Sequence, residues 1–282
     1  MDIPHQDTLK VRYINMPGCV WFRCYAELNE FLSRSRRWHT FRLAFNQPAS
    51  IKDMVESLGI PHTEVDLILI NGESVDFSHI VHNGDRVSVY PHFSIMDISN
   101  ISRCHPPPLP AVRFILDGHL GRLSAYLRML GFDCRYNNSL DDPTLADISA
   151  SEQRILLTRD RKLLMRKQVV YGYYVRETHP RRQLLEILTR FRLHNRLSPF
   201  SRCMKCNSDL TAISKVEAIA SVPPLAAARH DEFRQCLRCK KIYWQGTHFQ
   251  RMKRFISRIE KDFSKAETEK NGTKDYAGTE IR

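Results

Sequence analysis

The sequence predicts an α/β domain built on a parallel sheet, with a smaller α+β unit ahead of it and a cysteine-rich segment behind it. Three observations predict this. From Val112 onward, short apolar runs alternate with helical patterns, as parallel strands joined by crossover helices do. Two of those runs, residues 112–116 and 155–158, lead into an aspartate that opens a helical pattern: Asp117 directly, and Asp160 after Arg159. A stiff, extended proline stretch, Pro106-Pro107-Pro108-Leu109-Pro110, falls between the two kinds of pattern.

Residues 18–93 form the first unit. Residues 20–25 are strand-like, 26–32 a short helical segment, and 41–45 alternate as a half-buried strand does. Ser50 is placed to cap a helix over 51–58, which Gly59 stops. Residues 65–70 are a second apolar run ending at Asn71-Gly72, a tight-turn signal. Asn83-Gly84-Asp85 then turns the chain into a strand over 86–90. Strands flanking one helix, with the last strand entered through a Gly-Asp turn, resemble the β-grasp (ubiquitin-like) fold. The segments around Pro61–Val65, Asn71–Val75 and Gly84–Val87 resemble its sulfur-carrier branch. The last strand runs on into Tyr90-Pro91-His92-Phe93 with no Gly-Gly end, so a binding or docking role is expected instead of sulfur transfer. Residues 94–110 are read as a linker.

Charge is divided between the two parts. The whole chain carries +12, yet residues 1–90 hold nine Lys/Arg against eleven Asp/Glu. The excess of cations therefore lies entirely beyond residue 90, where it suits a polyanion such as nucleic acid. Residues 151–200 hold twelve Lys/Arg against four Asp/Glu, some of which will simply solvate helix faces. No apolar run reaches the roughly 20 residues needed to cross a bilayer. The first ten residues, MDIPHQDTLK, lack the layout of a signal peptide, so a soluble cytoplasmic protein without membrane association is expected.

In the second part, the helix after Asp117 carries an apolar stripe of Leu120, Leu123, Leu127 and Leu130 and ends at Gly131. A short strand over 132–136 precedes Asp141-Asp142-Pro143, read as a helix start with Asp142 as cap and Pro143 at the first helical position. After the second aspartate-ended strand come a helix over 161–167, a strand near 171–175 and a helix over 181–191. The polar residues 264–282 are expected to be a disordered tail.

If the two aspartate-ended strands share one parallel sheet, both carboxylates stand at its C-terminal edge, where open α/β sheets place their ligands. Neighbouring carboxylates repel unless a cation lies between them, and Mg²⁺ or Mn²⁺ takes oxygen ligands of this kind. The bland reading is that Asp117, Asp142 and Asp160 each only cap a helix. Asp147, mid-helix, either points to the cluster or lies on a solvated face. Arg122 and Arg159 are placed to contact a phosphate or to pair with the acids.

Cys203-x-x-Cys206 and Cys236-x-x-Cys239, separated by twenty-nine residues, supply four thiolates for a closed tetrahedral zinc site. A redox role would need only one such pair. With four cysteines present, His230 and His248 are read as surface or supporting residues. Cys19, Cys24, Cys104 and Cys134 show no pairing pattern.

Three segments, Phe114-Ile-Leu-Asp117-Gly-His-Leu-Gly-Arg-Leu123, Leu127-Arg-Met-Leu-Gly131-Phe-Asp133 and Ile155-Leu-Leu-Thr-Arg-Asp160, resemble the Mut-seven C-terminal RNase domain. Arg202-Cys203-x-x-Cys206-Asn207 and Cys236-x-x-Cys239 with Tyr243-Trp244-x-Gly246-x-His248 resemble its zinc ribbon. The first unit resembles the ubiquitin-like domain found ahead of it. The resemblance implies a PIN-like core over residues 111–197, and a zinc ribbon with C-terminal helix over 198–255. It also implies RNA hydrolysis by an acid cluster holding Mg²⁺ or Mn²⁺. Asp117 and Asp160 match the first and last acids of the motif and Asp141-Asp142 the middle pair; PIN proteins more widely keep Asp147 in play. A non-catalytic zinc-ribbon RNA-binding module, and a scaffold docking a protein partner through the ubiquitin-like domain, are the competing readings.

Overall fold

The computed structural model describes residues 18–93 and 96–272, and its contacts divide the chain into two compact units, 1–105 and 106–282. The first unit begins with β1 (Gly18–Cys24), β2 (Phe41–Phe45) and α1 (Ile51–Ser57), followed by β3 (Leu67–Ile70), β4 (Glu73–Ser74) and β5 (Arg86–Tyr90). The sheet order is β2-β1-β5-β3-β4, with β1 and β5 parallel at the centre and the other pairs antiparallel. That is a β-grasp sheet. Alternation buries Val20, Phe22, Val87 and Val89 in the strands, and α1 buries Ile51 and Val55. Ser50 caps α1 as its sequence signals, its hydroxyl accepting from the Asp53 amide at 3.1 Å. Asn71 and Gly72 have φ of +53° and +92°, the left-handed pair that a two-residue hairpin turn requires.

Residues 96–105, which the sequence reading placed in the linker, pack on this unit. Ile98 and Cys104 are buried, the Cys104 thiol donates to the Val75 carbonyl at 3.3 Å, and Ser102 donates to the Asp66 carbonyl. His92 and His105 each lie 3.0 Å from the Asp66 carboxylate.

The second unit alternates β6 (Arg113–Leu116), α2 (Gly121–Met129), β7 (Asp133–Tyr136), α3 (Asp142–Ser151), β8 (Ile155–Thr158), α4 (Arg161–Leu164), β9 (Gly172–Tyr174) and α5 (Pro180–Arg190). All strand pairs are parallel, in the order β7-β6-β8-β9. The chain leaves β6 toward one edge and returns to β8 on the other side of it. The β6/β8 boundary is therefore the switch point of the sheet, outside whose carboxyl ends such folds bind ligands.

Both faces of the sheet are covered. Phe114, Leu116 and Leu157 pack with Leu123 and Leu127 of α2 and Leu184 and Ile187 of α5, while Ile115 and Leu156 face Leu145 of α3 and Leu163 and Leu164 of α4. Gly131 ends the α2 hairpin at φ +94°, and the chain carrying Ser198 runs so close that any Cβ at 131 would strike the Ser198 carbonyl.

The remaining elements are β10 (Leu210–Ile213), α6 (Lys215–Ile219), α7 (Pro224–Arg229), β11 (Phe233–Cys236), β12 (Ile242–Trp244) and α8 (Thr247–Gly272). Strands β10, β11 and β12 form an antiparallel ribbon whose small core contains Phe233, Ile242 and Ala218. Helix α8 returns to the α/β core, burying Ile256 and Ile259 and stacking Phe255 on Tyr126 at 4.8 Å. Its backbone continues through residues 264–272, where a disordered tail was expected; the Ala, Glu and Lys there are good helix formers. Residues 273–282 of that tail lie outside the described residues. Among the described residues, no helix is long and apolar enough to cross a membrane.

Gly131→Ala combines a left-handed backbone with a clash against main chain, so it should destabilise the second unit by more than about 2 kcal/mol, measurable as a lower urea midpoint.

Candidate active site and zinc centre

Asp117, Asp142 and Asp160 line one open cleft of about 680 Å³ together with His119, Arg159, Arg161 and Lys162. Its position follows from the sheet. Leu116 of β6 stands opposite Leu157 of β8, and the Asp117 amide donates to the Leu157 carbonyl at 3.1 Å, so Asp117 leaves the sheet at the switch point.

The three aspartates differ in what their carboxylates do. Asp117 precedes a short 3₁₀ turn but makes no side-chain cap bond; its Oδ2 accepts from the Thr158 hydroxyl at 2.8 Å. Thr158 is fully buried, and the same Oγ1 accepts from the Asp160 amide at 2.9 Å. One hydroxyl thus fixes Asp117 and the backbone of Asp160 together. Asp160 does cap α4, Oδ1 accepting from the Lys162 and Leu163 amides at 2.7 and 3.4 Å.

At α3 the cap is Asp141, not Asp142. Asp141 Oδ1 accepts from the Thr144 amide at 3.0 Å, the helix starts at Asp142, and Pro143 is its second residue. Hydrogen bonds from Thr144, side chain first and backbone second, hold the Asp141 carboxyl below the usual range. With the cap shifted by one residue, Asp141 is engaged at the helix start and does not line the cleft, while Asp142 does. Asp147 is exposed on α3 and does not line the cleft.

Two arginines behave differently from their sequence reading. Arg122 is exposed on α2 and lies outside the cleft lining. Arg159 lines the cleft, but its Nη1 donates to the carbonyls of Val175, Arg176 and Glu177 at 3.3, 2.8 and 2.5 Å, tying down the chain that follows β9. His119 and Lys162, both exposed in the cleft, were not singled out from sequence; the first signal lies in Asp117-Gly-His119, with His119 two residues beyond the aspartate. Thr158 was also passed over, as the last residue of an apolar run.

No salt bridge engages Asp117, Asp142 or Asp160 among the described residues. The three acids share the cleft with Arg161 and Lys162 without pairing to them among the described residues. Their oxygens are not drawn as tightly together as the cysteine sulfurs. Among the described residues, no three carboxylates bring ligand atoms within 4.8 Å of one another. Mg²⁺ accepts such a looser arrangement, because it keeps several waters and uses only one or two carboxylates besides substrate phosphate.

The four cysteines Cys203, Cys206, Cys236 and Cys239 do meet within 4.8 Å. All eight cysteines are free thiols, and the pairs Cys203–Cys239 and Cys206–Cys236 stand 3.6 and 3.3 Å apart. A tetrahedron with 2.3 Å Zn–S bonds has edges of about 3.8 Å, whereas a disulfide is about 2.05 Å long. The donor set therefore fits zinc. Both knuckles fold alike: the residue after the second cysteine, Asn207 or Lys240, has φ of +70° or +59° and donates its amide to the first cysteine's carbonyl at 2.9 or 3.1 Å.

The first knuckle is fastened to the exposed edge of β7. Asn207 accepts from the Cys134 amide at 2.9 Å and donates to Asp133 at 2.8 Å. Arg128, buried in α2, donates to the carbonyls of Cys134, Met204 and Lys205 at 2.9, 3.2 and 3.1 Å. Burial works against the charge of Asp133, but hydrogen bonds from Arg154 and Asn207 outweigh it and hold the carboxyl below its ordinary range.

A parallel α/β core with acids at its switch point, a four-cysteine ribbon on its edge strand and a β-grasp unit ahead of it together define the class: a ubiquitin-like domain fused to a PIN-like domain with a zinc ribbon. The chain belongs to the Mut7-C RNAse domain family, whose model matches residues 112–256, and the Mut7-C ubiquitin model matches residues 18–97. Neither a search of curated proteins nor one of solved structures found a match.

Stripping zinc with a strong chelator, or Cys206→Ser, should unfold the ribbon and release its hold on β7. The check is amide exchange: protection at Cys134 should fall in the zinc-free protein while protection at Val20 and Val89 is unchanged.

Proposed function

We propose that this chain is a metal-dependent ribonuclease that hydrolyses RNA phosphodiester bonds in the cleft at the carboxyl ends of β6 and β8. The observation that carries the reading is Asp117: a carboxylate at the switch point, oriented by a buried hydroxyl, taking no part in a cap or an ion pair. Membership of an RNase-domain family supports it, as does the cationic balance of the chain beyond residue 90. Asp117 and Asp142 would hold Mg²⁺ or Mn²⁺, with Asp160 beside them. When bound, such a cation lowers the pKa of a coordinated water and stabilises charge on the phosphoryl oxygens.

The protein's own groups supply the rest. Thr158 keeps Asp117 from rotating out of the cleft. Lys162 and His119 face the space a phosphate would occupy, and Lys162 adds positive charge there. Arg159 is a positioning residue, since its Nη1 is spent on three carbonyls. The four-cysteine zinc would be structural, with no open position for substrate.

A second reading, an RNA-binding module without cleavage, is favoured by the capping role of Asp160 and by the looser spacing of the acids. The ubiquitin-like domain gives a protein partner as a further expectation for either reading.

Labelled single-stranded RNA at low salt, with Mn²⁺ or Mg²⁺ against EDTA, separates the readings. Wild type should cut only with metal. Asp117→Asn and Asp142→Asn should lower kcat by about a hundredfold or more, while Asp147→Asn and the cap-preserving Asp141→Ser should stay within about twofold. RNA binding without cleavage by wild type would leave the second reading.

A further inference from the structure

Next to the acid cleft lies a second one of about 820 Å³, between the end of β7 and the tips of both zinc knuckles. Arg135, Tyr136 and Asn137 form one wall, and Lys205, Cys206, Arg238 and Cys239 the other. We propose that this cleft is a track for the RNA phosphate backbone leading to the acid site, with Lys205 and Arg238 as its phosphate contacts. The proposal rests on the ribonuclease reading for its direction, since the acid site is where the track ends.

Lys205 and Arg238 hold the same place in their knuckles, each immediately before the second cysteine of its pair. Both are exposed, and neither pairs with a carboxylate among the described residues. The other cations of the cleft are committed. Arg135 pairs with Glu152, Arg154 pairs with Asp133 at 2.7 Å and Glu152 at 2.5 Å, and Arg128 is bonded to three carbonyls. Positive charge available to a ligand is thus concentrated on the two knuckle tips.

The two clefts adjoin. Tyr136, in the β7 wall, donates its hydroxyl to the carbonyl of Gly118 at 2.8 Å, and Gly118 directly follows Asp117. Leu140, also in the lining, lies two residues before Asp142. A chain of phosphates lying past the knuckles would therefore run over residues 136–140 onto the acids. Loaded with Zn²⁺, four thiolates carry a net charge of −2 and would repel RNA. Lys205 and Arg238 together cancel that charge and put its positive ends on the exposed tips, where a phosphate meets them first, which is why both are needed. The competing account is that they merely balance the cluster.

The test uses the full-length, zinc-loaded chain in an Asp117→Asn background and a fluorescein-labelled single-stranded RNA, with anisotropy read across a salt series. Lys205→Ala/Arg238→Ala should weaken binding by about tenfold and flatten the log–log salt slope by about 1.4, the value for two lost contacts to a single strand. Lys253→Ala/Arg258→Ala, an equal charge loss on exposed α8, should weaken it less than about threefold with little change of slope. Lys205→Arg/Arg238→Lys should bind as the parent does.

Equal loss in both alanine pairs, no loss in either, or loss of zinc from the knuckle pair would overturn the proposal; the last would assign the side chains to the cluster. The ribonuclease reading fails separately, through wild-type cleavage. A knuckle pair that keeps its affinity beside an active wild type removes the track alone, and a track without cleavage removes the nuclease alone.

Discussion

The hydroxyl of Thr158 joins the two strands on which the candidate chemistry depends. It is buried at the end of β8, donates to Asp117 at the end of β6, and accepts from the amide of Asp160. A hydroxyl has one proton to give, and giving it to Asp117 leaves the lone pair that receives the Asp160 amide. The same pair of bonds thus satisfies a buried polar group and aims a carboxylate. The sheet topology makes this matter. Because the chain reverses its direction of progress between β6 and β8, the crossovers after each strand run to opposite sides and open a crevice between them.

The second constraint acts at the other side of the sheet. Edge strands expose unpaired main-chain groups, and β7 is one. Here the first zinc knuckle covers it: Asn207 stands in for a paired strand at Cys134, and Arg128 joins β7 to the knuckle through three carbonyls. Each of these bonds holds the first cysteine knuckle against the core, so the four-cysteine cluster and the α/β sheet are tied together. Gly131 belongs to the same arrangement, since only a residue without Cβ lets the Ser198 segment pass beside α2.

The parts readable in the sequence were those written in short-range pattern. An apolar run ending in aspartate marks a strand end, the two CxxC pairs mark a tetrahedral donor set, and Asn71-Gly72 marks a hairpin. The parts that were not readable depend on partners distant in sequence. Asp141 and Asp142 both satisfy the composition of a cap, and only backbone geometry distinguishes which carboxylate turns to the Thr144 amide. Arg159 looks like a phosphate ligand beside an acid, yet its partners are carbonyls 16 to 18 residues later. Residues 96–105 were read as linker with the proline run that follows them, yet Ile98 and Cys104 are buried and the Cys104 thiol donates to the Val75 carbonyl, a partner 29 residues earlier. Thr158 was hidden in a run of aliphatic residues, where a single hydroxyl does not alter the strand pattern.

The first constraint brings Asp117, Asp142 and Asp160 to one cleft without an ion pair among the described residues, and the proposed function puts a cation there. Titration of Mn²⁺ into the zinc-loaded full chain, followed by electron paramagnetic resonance, measures it without requiring RNA or turnover. The account predicts a site in wild type whose affinity falls at least about tenfold in Asp117→Asn and is unchanged in Asp141→Ser. Equal Mn²⁺ binding by all three proteins would contradict it.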